Sequence, residues 1–169
     1  MTITKVEPWL RGTLTEVDAV RRGVLHALVL AQEDVERWSA DLSDTELEAQ
    51  PLGLPAVGRQ MRHIVRSLDR LLSYAEGRQL SAAQLEALKA EVEGSASREA
   101  LFAEFEDGIS SAMERVRALR PESYQEARGV GRKMLPTTVG GLLVHCADHT
   151  QRHTGQMVTT AKVIVGLRS

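Results

Sequence analysis

Cysteine is almost absent from this 169-residue chain, in which Cys146 is the single example. One thiol cannot form an intramolecular disulfide, and it cannot supply the paired cysteines of a CxxC zinc site. Aromatic residues are also few, at 4% of the sequence. A disulfide framework and a CxxC zinc module are therefore excluded.

Long hydrophobic runs and an excess of basic charge are missing as well. The longest apolar run, VLHALVLA, is interrupted by His26 and is far shorter than the roughly 20 residues of a membrane-spanning helix. The net charge is −2, so no basic field favours nucleic acid or anionic membranes. The N-terminal stretch MTITKVEPWLRG lacks the apolar core of a secretory signal. We therefore expect a cytoplasmic protein that binds neither nucleic acid nor membranes.

Apolar residues recur every three or four positions over most of the chain, which is the period of an amphipathic helix. The first stripe starts at Leu14, where Thr13 and Glu16 have the spacing of a capping box. Prolines and glycines interrupt the period after Leu42. A second helix is predicted to begin near Ala56.

One short helix and two more long helices are predicted further along. The short helix, SAAQLEALKAEV, starts with Ser81 and Gln84 as a capping pair. The segment PESYQEARGVGRKMLP is predicted as loop, and Thr137 or Thr138 caps the last long helix. No β-alternation competes with the helical period. We predict an all-α four-helix bundle with one short additional helix, formed by residues 1–169 as a single domain.

Three of the five histidines fall within the nine residues HCADHTQRH. His145, His149 and His153 are four residues apart, so on a helix they project from one flank. At about 100° per residue, they lie about 120°, 80° and 40° from the centre of the core stripe. His63 occupies a similar shoulder of the second helix. A bundle can bury two such flanks as one polar pocket, with these predicted lining residues: Gln60, Ser67, Tyr74 and Gln156.

Imidazoles that converge from two helices suit a divalent ion, because one helical turn matches the bite of a metal and a third ligand can come from the facing helix. Three protein ligands leave a position for water or substrate, as in catalytic metal sites. An HExxH protease is excluded, since Cys146 follows His145 and Thr150 follows His149. The alternative is a polar helix flank that binds no metal.

The stretches QMRHIVRSLDRLLSYAEGRQL and GRKMLPTTVGGLLVHCADHTQRHTGQMVTTAKV resemble the DinB/YfiT-like family of metal-dependent enzymes, and the resemblance covers essentially the whole chain. It implies a four-helix bundle whose ion is held by one histidine of the second helix and an HxxxH pair of the last. Carried onto this sequence, these ligands are His63, His149 and His153. The resemblance also implies a homodimer, and relatives that act as transferases or isomerases using low-molecular-weight thiols such as bacillithiol or mycothiol.

The resulting functional expectation is an enzyme that depends on a divalent metal, zinc or nickel, and transfers or adds a low-molecular-weight thiol to an electrophilic small molecule. Imidazole ligands do not decide between these ions. A non-catalytic, metal-binding stress-response protein is the alternative. A third interpretation is a helical module that binds another protein, in which the histidines have no metal-binding role.

Five other polar or reactive residues have simpler interpretations. His145 is expected to contribute polarity near the site rather than a fourth ligand, and Cys146 to act as a small hydrophobic residue in the core. His26 is expected to be solvated. Asp148 and Arg152, four residues apart on the outer face, are expected to form a surface ion pair.

A basic, glycine-containing segment precedes the last helix and carries Arg128, Arg132 and Lys133. Such a segment can bring cations and backbone N–H groups to an anionic ligand. The competing interpretation is a solvated basic loop, and the sequence does not fix the distance from these residues to the histidines.

Overall fold

A computed structural model of the chain describes residues 6–90 and 97–168. This part of the chain is mostly helical, with one small antiparallel sheet. Short 3₁₀ turns occupy Pro8–Leu10, Pro51–Gly53 and Pro121–Ser123. The helices are α1 (Ala19–Ser39), α2 (Asp44–Glu48), α3 (Val57–Ala75), α4 (Ala82–Ala90), α5 (Arg98–Ala118) and α6 (Val139–Gly166), and the strands are β1 (Ala127–Val130) and β2 (Leu135–Thr138).

The prediction that the first helix begins near Thr13 was wrong. The helix starts at Ala19, and its N-cap is Asp18, whose carboxylate accepts hydrogen bonds from the backbone N–H groups of the first turn. Gly12 and Leu14 both have positive φ, at +66° and +58°, so the chain turns before the helix can begin. The apolar stripe therefore begins more than one turn before the first residue of α1.

The described residues contain two short helices, where the sequence predicted one. The unpredicted α2 is a single turn with a capping box, in which Ser43 Oγ accepts from the Glu46 N–H and the Glu46 carboxylate accepts from the Ser43 N–H. Five residues are too few to show a helical period. The cap of α4 by Ser81 and Gln84 is confirmed. The end predicted for that helix, residues 91–92, lies outside the described residues.

A β-hairpin replaces part of the predicted loop before the last helix. Strands β1 and β2 pair antiparallel, with Ala127 opposite Thr138 and Val130 opposite Leu135. Four-residue strands are too short to show a reliable alternation, which is why the sequence pattern missed them. Arg128 Nε donates to the Ala75 carbonyl over 2.9 Å, so this arginine holds the hairpin against the end of α3.

The apolar faces of the long helices meet in one buried core. α6 packs against α1 and α3, and α5 packs against α3 and α1. None of the helices formed by residues 6–90 and 97–168 has the length and apolar content that a membrane crossing requires. Core side chains with at most 1% exposure include Leu25, Leu28, Met61, Ile64, Leu68, Leu143 and Met157.

Helices α3 and α6 run antiparallel, because side chains early in α3 meet side chains late in α6. Gln60 contacts Gln156, whereas Ala75 packs in a cluster with Leu142. Of the two predicted caps of α6, Thr137 and Thr138, it is Thr138 that caps the helix, and its Oγ1 accepts from the Gly141 N–H at 3.1 Å. This arrangement places the middle of α3 beside the middle of α6.

Candidate metal centre

The seam between α3 and α6 brings three histidines together. His63 comes from α3, and His149 and His153 come from consecutive turns of α6. Each offers one ring nitrogen, and these three atoms lie within 4.8 Å of one another. All three side chains are half-buried, so the cluster is shielded by the helices but reaches the surface.

The spacing of the ring nitrogens fits the bite of a divalent ion. Nε2 of His63 lies 3.3 Å from Nε2 of His149. Two nitrogens bound to a tetrahedral zinc ion, each at about 2.05 Å, are separated by about 3.3 Å. The ring centroids of His63 and His149 lie 4.3 and 4.4 Å from that of His153. The donor set therefore fits a borderline metal ion.

A buried amide holds the third histidine. Gln60 is only 4% exposed, and its Oε1 lies 2.8 Å from Nδ1 of His153. Its Nε2 donates to Oε1 of Gln156 over 2.9 Å, which fixes the orientation of the amide. Because Gln60 Oε1 can only accept, Nδ1 of His153 carries the proton and Nε2 is left with the lone pair that a metal requires.

A hydroxyl lies next to His63 and accepts a hydrogen bond from a guanidinium. Ser67 is buried, and its Oγ lies 3.4 Å from Nε2 of His63. Arg70 Nη2 donates to the same hydroxyl over 2.9 Å. No motif in the sequence marks Arg70, although its position seven residues after His63 places it two turns further along the same side of α3.

The electrostatics of the cluster favour neutral imidazole. Burial lowers the pKa of His149 to about 4, and repulsion from His153, His63, His145 and Arg152 adds to the shift. At neutral pH the ring of His149 is therefore uncharged. Neutral imidazole is the form that binds a metal ion.

His145 lies at the edge of the cluster rather than within it. Its ring centroid is 5.4 Å from that of His149, and its Nδ1 is 3.5 Å from a carboxylate oxygen of Asp148. Its side chain is 45% exposed, and it is not part of the group whose ligand atoms converge. The surface pair of Asp148 with Arg152 is present, at 3.3 Å.

Two further predictions have opposite outcomes. Cys146 is completely buried in the core, and burial raises the pKa of its thiol to about 12, so it is the hydrophobic residue that was expected. The prediction that His26 is solvated was wrong. His26 is 8% exposed, and its Nε2 lies 3.2 Å from the hydroxyl of Thr13, because the turn before α1 folds back over it.

The predicted pocket lining is only partly assembled at the cluster. Gln60, Ser67 and Gln156 lie beside the histidines, but Tyr74 packs in the apolar cluster with Leu142, near the hairpin.

The three basic residues that precede the last helix lie in the β-hairpin. Arg128 is in β1 and donates hydrogen bonds to the Ala75 carbonyl and the Glu126 carboxylate. Arg132 and Lys133 are exposed at the hairpin turn. The hairpin precedes α6, and His149 lies ten residues, or about 15 Å, along that helix from its first residue.

Comparison with known proteins agrees with this geometry. The family model of the DinB superfamily matches residues 27–157, which include all three clustered histidines. No curated protein matches the chain. Members of the superfamily bind metal, and the three-histidine group is compatible with a divalent ion. With more than half of its length matched, the chain belongs to the DinB superfamily.

Proposed function

We propose that His63, His149 and His153 bind one divalent metal ion, zinc or nickel, in a metal-dependent enzyme. The observation that carries the proposal is the convergence of one nitrogen from each ring within 4.8 Å, with the two Nε2 atoms of His63 and His149 at 3.3 Å. Protonation states support it, because His149 is neutral at pH 7 and Gln60 fixes the tautomer of His153.

The proposed reaction is the transfer or addition of a low-molecular-weight thiol to an electrophilic small molecule. An ion bound by the three imidazoles would leave a position open for a thiol, and the chemistry that it would supply there is a lowered thiol pKa, so that thiolate is available at neutral pH. The sulfur lone pair forms a bond to the electrophilic carbon, and the thiol proton leaves to solvent. In a transfer, the leaving group departs with its bonding electrons; in an addition, the substrate takes up a proton.

The protein side chains then have separate tasks. The three histidines would hold the ion, Gln60 orients His153, and the helices limit access of water to the half-buried rings. We assign no general base.

The fold type, oligomeric state and location that we propose are those implied by the family resemblance. We infer that the four long helices form a bundle of the DinB/YfiT-like type, which the pairwise packing of α1, α3, α5 and α6 supports. A single domain over residues 1–169, a homodimer and a cytoplasmic location are part of the same proposal.

One observation favours a second candidate, a non-catalytic metal-binding stress-response protein. The ring of His145 is one turn from His149, with centroids 5.4 Å apart. A rotation of this exposed side chain toward the cluster would supply a fourth ligand and close the site, as in structural zinc centres.

Elemental analysis of untagged protein tests the metal assignment. Wild type should contain about one divalent ion per chain, and His63→Ala and His149→Ala should lose it while the helical circular dichroism persists. His145→Ala is the matched control and should retain the ion. A wild-type protein that stays metal-free after incubation with zinc or nickel would refute the proposal, and loss of the ion from His145→Ala would favour the closed, non-catalytic site.

A further inference from the structure

A cavity of about 360 Å³ opens beside residues 152–160 of α6. It lies between α6 and the segment that leads into α3. Its lining residues are Leu54, Pro55, Arg152, Gly155, Gln156, Thr159 and Thr160. None of these described lining residues is acidic, and Arg152 is the one that carries a charge.

Two side-chain contacts link the wall of the cavity to the histidine cluster. Gln156, in the cavity wall, accepts from Gln60, and Gln60 in turn lies 2.8 Å from His153. Gln156 is three residues after His153, about 4.5 Å along the helix axis. The cavity and the histidine cluster are therefore neighbours on α6, separated by the amides of Gln60 and Gln156.

The charge of Arg152 is available to a ligand at little cost. Its contact with Asp148 is 3.3 Å long, and the two side chains are 59% and 54% exposed. Exposed ion pairs of this kind contribute little to stability, so a ligand carboxylate can displace Asp148 from the guanidinium.

From this geometry we infer a substrate class: the cavity is the subsite for a carboxylate carried by the thiol substrate, and Arg152 is its counter-ion. This inference rests on the proposed function. The apolar edges of Leu54 and Pro55 face the carbon chain of the thiol, and the guanidinium pairs with the carboxylate. Small thiols built on a cysteine skeleton have this combination of groups.

Two thiols that differ only in charge test the inference. N-acetylcysteine and its neutral amide are titrated into the cobalt(II)-loaded full chain, and sulfur-to-cobalt charge-transfer absorption reports binding. Wild type should bind the carboxylate form about fivefold more tightly than the amide, the range of one partly exposed ion pair. Arg152→Gln should abolish this preference and leave the affinity for the amide unchanged.

Two further variants control the interpretation. Asp148→Asn releases Arg152 from its neighbour and should increase the affinity for N-acetylcysteine, a change opposite in sign to that of Arg152→Gln. Arg132→Gln removes an exposed arginine of the hairpin turn and should change neither affinity.

The outcomes separate this inference from the proposed function. If both thiols bind and Arg152→Gln keeps the wild-type preference, the subsite is wrong while the thiol reaction stands. If neither thiol gives a charge-transfer band in protein that holds cobalt, the proposed thiol chemistry fails and the subsite fails with it.

Discussion

Replacing Gln60 by leucine should weaken zinc binding while leaving the fold intact. The two side chains are similar in size, and Gln60 is 4% exposed, so leucine fills the same buried space. What disappears is the 2.8 Å contact with His153 Nδ1, which sets the tautomer and orientation of the ring. Gln156 also loses its donor, but Gln156 is exposed and can bond to water.

The magnitude follows from one hydrogen bond and one freed ring. A single hydrogen bond contributes about 0.5–1.5 kcal/mol net, and 1.4 kcal/mol corresponds to about a tenfold change in affinity. Loss of an outer hydrogen bond to a metal-binding histidine typically costs about 10- to 100-fold. Because only one of the three proposed ligands is affected, we expect about tenfold weaker zinc binding for Gln60→Leu.

Competition with a chromophoric zinc chelator at pH 7.5 measures this affinity, and two variants sharpen the result. Gln60→Glu keeps an acceptor for His153 Nδ1 and adds negative charge, so its affinity should equal or exceed that of wild type. Gln156→Leu removes the bond that orients Gln60 without touching a histidine, and its effect should be about threefold or less. Zinc affinity of Gln60→Leu within about twofold of wild type, with unchanged circular dichroism, would refute the positioning role of Gln60.

Three other predictions concern reactivity, packing and pH. Cys146, whose thiol pKa burial raises to about 12, should resist iodoacetamide at pH 8 in the folded protein and react fully in urea, as mass spectrometry would show. Gly108→Ala should lower the free energy of unfolding by about 1–3 kcal/mol in urea titrations, because the new Cβ would lie 2.5 Å from Val65 Cβ. The matched control is Gly23→Ala, whose Cβ meets no atom within 4 Å and which should stabilise α1 by up to about 1 kcal/mol. His149 has a pKa of about 4 in the folded metal-free protein, below the 6.5 of an ordinary histidine, so the unfolded chain takes up its proton first and stability should fall as the pH drops from 6.5 toward 4. His149→Gln should remove part of that decline, and equal slopes in both proteins would contradict the assignment.

The sequence predicted the helices whose signals are local and repeated. The period of apolar residues located α3, α5 and α6, and Thr138 marked the start of α6. The start of α1 was misplaced because its stripe continues into a turn at Gly12 and Leu14, where the backbone has positive φ. The hairpin escaped detection because pairing between two four-residue strands is a tertiary property that neither strand shows alone.

The convergence of His63, His149 and His153 follows in part from the sequence, for similar reasons. Spacing within α6 placed His149 and His153 on one flank, and a shoulder position together with the family resemblance selected His63. The contact of Gln60 with His153 depends on the rotation and axial position of two helices, which a helical wheel does not contain. The burial of His26 under Thr13 likewise depends on a turn that the apolar pattern does not describe.

Histidines at every fourth position make the flank of α6 nearly identical to itself after a shift of one turn. A slide of about 6 Å between α3 and α6, four residues at 1.5 Å each, would present His145 and His149 to His63 in place of His149 and His153. Two polar contacts outside the repeat prevent this ambiguity: Gln60 pairs with Gln156, and the hydroxyl of Thr160 donates to the Pro55 carbonyl over 2.9 Å. These two contacts fix the axial position of α6 relative to α3, so that His149 and His153, and not His145 and His149, lie beside His63.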